Sequence, residues 1–91
     1  MGTYDQTIPK TLLIRAERGE AAAQYLLGLF YATEDATAEG LIQAHMWFNI
    51  AAVSGDVRAR AERQELADMM TAPEIAEAQK RARAQLQLQR G

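Results

Sequence analysis

Ninety-one residues, 48% apolar and 24% charged, have the size and balance of one soluble globular domain and are too few for two independent cores. The formal net charge of −2 supplies no basic field for a phosphate backbone, and the lack of cysteine excludes disulfides, thiolate zinc sites and cysteine nucleophiles. No run of about 18 apolar residues is present, and the first ten residues, with Tyr4, Asp5 and Gln6, read as neither signal nor anchor, so the expected location is cytoplasmic.

Residues 1–6 read as a flexible arm ahead of a single domain over 7–91. Thr7 is placed to cap a first helix, with Pro9 in the first turn, where its missing N–H is no loss. Leu12, Leu13, Ile14 and Ala16 carry this helix to Gly19, a C-terminal stop. The second helix starts near Glu20, an acid at the positive end of the dipole. Its stripe of Ala23, Leu26, Leu27, Phe30 and Tyr31 has helical spacing. Periodicity stops from Thr33 to Gly40, which predicts a loop.

The third helix carries Leu41, Ala44, Trp47 or Phe48, Ala51 and Ala52 on one side and ends at Gly55. Asp56 repeats the acidic start after glycine, and a fourth helix is expected from Val57 through Ala59, Leu66 and Met69. Thr71 and Glu74 form a capping box with Pro73 in the first turn, opening a fifth helix to about Leu88. Ile75, Ala78, Ala82 and Gln85 or Leu86 share one face of it. Its acids come early and its cations late, as the helix dipole favours, and Glu77 with Arg81 adds an i, i+4 pair.

An internal repeat underlies these elements. Ala16, Gly19 and Ala23 recur as Ala52, Gly55 and Ala59, each 36 residues on, with an acid after the glycine both times. Gly28, Tyr31, Ala44, Trp47, Ala51, Ala52 and Gly55 stand in an order and spacing that resembles the Sel1-like repeat, a relative of the tetratricopeptide repeat. The segment from Met70 to Gln79 is similar to the closing helix that follows the last such repeat in bacterial proteins, so a cap from about residue 72 is expected. The resemblance covers roughly Leu12 to Ala84 and departs from the family in one place. Glu34, Ala36, Thr37 and Gly40 stand in the loop where the family places glycines and a Val before an Asp.

The expected fold is therefore all-α, an antiparallel helix-hairpin array or short α-solenoid of about five helices. One full repeat lacks the stacked neighbours that bury a solenoid's faces, so the first and fifth helices must act as caps or another chain must cover an open side. What the family resemblance implies is scaffolding of protein complexes in bacterial settings. The expected function is an adaptor or accessory subunit docking a protein partner, on an inner face of the first and third helices or at the end left open. The alternative is a structural small subunit, or self-association, that stabilises a larger assembly, membrane-bound or not.

Tyr25, Tyr31, Trp47 and Phe48 are the candidate partner-binding residues, because aromatic side chains dominate interface hot spots. Trp47 and Phe48 are adjacent on one helix, so one is expected in the core, as an anchor against the second helix, and the other at the stripe's edge. His45 alone, near Glu39 and Gln43, makes neither a metal site nor a catalytic dyad and reads as structural or solvent-exposed. Glu34, Asp35 and Glu39 lack the ligand spacing and glycine of a calcium loop. Arg58, Arg60, Arg63, Arg81 and Arg83 are interleaved with acids and no aromatics, which argues against nucleic acid. Met69 and Met70 read as hinge packing. No phosphate loop or nucleophile elbow occurs, so neither enzyme, cofactor nor metal is expected.

Overall fold

A computed structural model describes residues 9–35 and 37–90. The predicted arm, the Thr7 cap and Ala36 lie outside the described residues. Five helices follow in order: α1 (Lys10–Glu17), α2 (Ala21–Glu34), α3 (Ala38–Val53), α4 (Ala59–Ala67) and α5 (Ala72–Arg90), with no strand among the described residues. The chain is an all-α array of helix hairpins.

Glycine stops two of the helices as the sequence implies. Gly19 and Gly55 have φ of 99° and 111°, the left-handed conformation that lets the chain turn out of α1 and α3. Gly19 N–H bonds Ala16 O at 3.0 Å and Gly55 N–H bonds Ala52 O at 3.2 Å, so orphan carbonyls at both helix ends are satisfied. At the start of α5, Thr71 N–H donates to Glu74 Oε1 at 2.9 Å and Glu74 N–H to Thr71 Oγ1 at 3.3 Å, the reciprocal pair of a capping box.

The connection between α2 and α3 is shorter than the expected loop over 33–40. Helix α2 continues to Glu34 and α3 begins at Ala38. Local polar bonds make the tight turn: Thr37 Oγ1 accepts from Gly40 N–H at 3.1 Å, and Asp35 Oδ1 accepts from Thr37 N–H at 3.2 Å and from its hydroxyl at 2.6 Å. Gly40 is needed there, because a Cβ would collide with the Asp35 carbonyl. Helix α4 begins at Ala59, two residues later than expected. Asp56 Oδ1 accepts the Arg58 N–H at 2.9 Å and holds residues 57–58 in a turn, so Val57 is 91% exposed. Met69 also lies beyond its helix and is exposed, whereas Met70 is half-buried against the core.

Helix α3 is the axis of the fold. It packs against α2 on one side and against α4 and α5 on others, and it buries nine of its residues. Two clusters form along it. One joins Ala16, Ala23, Leu27, Met46, Trp47, Ile50 and Ala82; the other joins Tyr25, Ala44, Phe48, Ala51, Ala59 and Leu66. Trp47 and Phe48 are thus both core residues, 4% and 1% exposed, rather than one in the core and one at its edge. A single apolar stripe describes a helix packed on one side, and α3 is packed on several. On α2 the stripe is likewise displaced: Leu27 is fully buried, while Leu26 is 44% exposed.

Candidate protein-docking surface

The four aromatic candidates are held mainly inside the chain. Trp47 packs with Leu27 of α2 and Ala82 of α5. The Phe48 ring lies on Gly28, where a Cβ would collide with it, and is 5.8 Å from the Tyr25 ring, centroid to centroid. Tyr25 is 8% exposed: its hydroxyl donates to Glu62 Oε2 at 3.3 Å, and the Arg58 guanidinium sits 4.0 Å above its ring centre. Burial, then the Glu62 carboxylate, pushes the Tyr25 phenol above its usual range. Tyr31 is half-buried and stands edge-on to Phe30, with centroids 5.4 Å apart; both line an open cleft of about 260 Å³ with Glu34 and Asp35. Of the four, Tyr31 has the most access to solvent.

The inner face of the first and third helices is not open either. Ala82 and Leu86 of α5 lie in the same cluster as Leu12, Leu13 and Ala16 of α1 and Trp47 of α3. Gln89 Nε2 reaches Ala16 O at 3.3 Å. Arg81 forks onto both Glu39 oxygens at 2.6 and 3.2 Å and onto Glu77 at 2.8 Å, so one guanidinium ties α5 to the start of α3. Arg81 holds the Glu39 and Glu77 carboxyls below their usual range, and the two acids raise Arg81 in return.

The surface left open is elsewhere. On α2, Ala22, Leu26 and Thr33 are exposed and Phe30 is half-buried; at 100° per residue they form one uncharged stripe facing away from α3, while Leu29 beside them packs against the core. Residue spacing brought Leu26 and Phe30 to notice, but assigned them to the core. Val53 and Leu88 near helix ends, and Val57 in the turn before α4, add exposed apolar side chains.

His45 is 3% exposed, and its Nδ1 has no hydrogen-bond partner. Burial, and then Arg63, keep its pKa below the usual value, so the ring is a neutral core group. Arg63 itself donates to Asn49 Oδ1 at 2.7 Å. Among the described residues no three His, Asp or Glu side chains converge as metal ligands, and no helix is long and apolar enough to cross a membrane.

The described residues form a small helical-hairpin array with an apolar stripe on α2 that no other described element covers. Comparison of the chain with protein-family models, with curated proteins and with solved structures returns no match.

Proposed function

We propose that this chain is a protein-docking module, an adaptor or accessory subunit, of the kind that its resemblance to Sel1-like repeats implies. The observation that carries this reading is the α2 stripe. An uncharged row of Ala22, Leu26, Phe30 and Thr33 on a helix with no Lys, Arg or Asp suits a partner's apolar face. Tyr31, at the stripe's edge, is the aromatic of the four best placed to join such a contact; Tyr25, Trp47 and Phe48 would act by holding α2 in position.

Affinity purification of the tagged chain from its native cell, wild type beside Leu26→Glu, tests the proposal. A partner recovered with the wild type and lost with the variant is the expected result. Sedimentation of the purified chain separates the alternative: a concentration-dependent dimer lost in Leu26→Glu would make the stripe a self-association surface of a structural subunit.

A further inference from the structure

The two helix–glycine–helix junctions are built alike. At the first, Gly19 N–H bonds Ala16 O at 3.0 Å and Glu20 N–H bonds Arg15 O at 3.1 Å. At the second, Gly55 N–H bonds Ala52 O at 3.2 Å and Asp56 N–H bonds Ala51 O at 2.9 Å. Ala23 and Ala59, four residues after each glycine, are both fully buried. The sequence repeat is thus a repeat of backbone geometry.

What lies over the junctions differs. The last turn of α5 seals the first: Gln89 Nε2 donates to Ala16 O at 3.3 Å, and Gln24 Nε2 donates to the same oxygen at 2.9 Å and to Gln89 Oε1 at 3.5 Å. Ala16 and Gln24 are fully buried beneath it. Moving 36 residues on, Ala16, Gly19, Glu20, Ala21 and Gln24 become Ala52, Gly55, Asp56, Val57 and Arg60. Those five residues line an open cleft of about 330 Å³, and among the described residues no element supplies a counterpart of Gln89 there.

Charge indicates the missing occupant. The Asp56 carboxylate is already held by Arg58, at 3.0 and 2.6 Å, and sits below its usual pKa range because of it. Arg60 is exposed and has no ion pair or side-chain hydrogen bond among the described residues. Where neutral Gln24 meets the neutral amide of Gln89, cationic Arg60 selects a carboxylate. We infer that the Ala52–Arg60 cleft docks the end of a helix from a partner protein, which sets an apolar side chain against Val57 and a Glu or Asp of its last turn on Arg60. The inference rests on the docking function proposed above and names one chemistry by which it operates.

The probe is a synthetic peptide of the α5 sequence, residues 72–90, in two forms: unaltered and carrying Q89E. Titrated into the ¹⁵N-labelled full chain, the Q89E peptide shifts the amide signals of Gly55, Asp56, Val57 and Arg60 and binds about tenfold more tightly than the unaltered form. Arg60→Glu abolishes that preference while the helical circular dichroism stays unchanged, since the residue is exposed. Equal affinities, shifts centred elsewhere or no shifts at all would overturn the inference. Such a failure leaves the docking function standing if a cellular partner still depends on Leu26. Conversely, loss of that dependence with the peptide preference intact would remove the α2 surface alone.

Discussion

The Phe48 ring lies where a side chain on Gly28 would have to stand, so α2 and α3 meet as an aromatic face on bare backbone. Glycine within a helix normally costs about 0.5–1 kcal/mol relative to alanine, so Gly28→Ala would stabilise an unconstrained helix. Here overpacking reverses the sign. Gly28→Ala is expected to destabilise the fold by about 1–3 kcal/mol, seen as a lower urea midpoint at unchanged m value. A stabilised variant would show that Phe48 has room to move aside.

Gly19 and Gly55 present a different cost. Nothing lies within 4 Å of a Cβ built on either, yet both have positive φ. Alanine at each position therefore loses about 1–2 kcal/mol through backbone strain alone. The two losses should be similar and additive in the double variant, because the junctions are separate; thermal melts of the three proteins measure this.

His45 gives the fold a dependence on mild acid. Its folded pKa is lowered by burial and by Arg63, so the unfolded chain binds the proton more readily. Stability is then unaffected by His45 above the unfolded value of about 6.5, falls as the pH drops below it, and levels off once the pH is under the lowered folded value. In His45→Leu that part of the slope disappears. A chemical-denaturation series from pH 7.5 to 5 reads it directly, and an unchanged slope would mean that the ring finds a partner when charged.

Glu39 and Glu77 act in a more acidic window. Both carboxyls are depressed by Arg81, so their contribution is present above the unfolded value of about 4.3 and is lost as the pH falls through the lower folded values. Glu39 and Glu77 side chains are 56% and 39% exposed, so solvent screening keeps the cluster's contribution small. Arg81→Met should remove that small term, with the difference from wild type shrinking in high salt. Denaturant titrations at low and high ionic strength compare the two.

Local chemistry was legible in the sequence where a bond spans few residues. The two glycine stops, the Thr71–Glu74 box and the Glu77–Arg81 pair are all within one or two turns of chain, and all form. The 36-residue spacing reached further and marked two junctions with matching hydrogen bonds. What escaped depends on which helices become neighbours. Nothing local reveals that Glu39 shares Arg81, 42 residues away, or that Phe48 needs Gly28 to be bare. The burial of Trp47 and Phe48 escaped for the same reason: α3 has partners on several sides, so both are enclosed. Conversely, Leu26 read as core because periodicity cannot tell which side of an evenly apolar helix is covered.

The recovery of partners by the tagged chain and by its Leu26→Glu variant tests the central claim most directly. Leu26 is 44% exposed, so the substitution should leave stability within about 0.5 kcal/mol of wild type. A specific protein is expected to be enriched with the wild type and depleted at least tenfold with the variant, at equal helicity and equal melting temperature. Equal recovery by the two proteins would contradict the assignment of the α2 stripe as the docking surface.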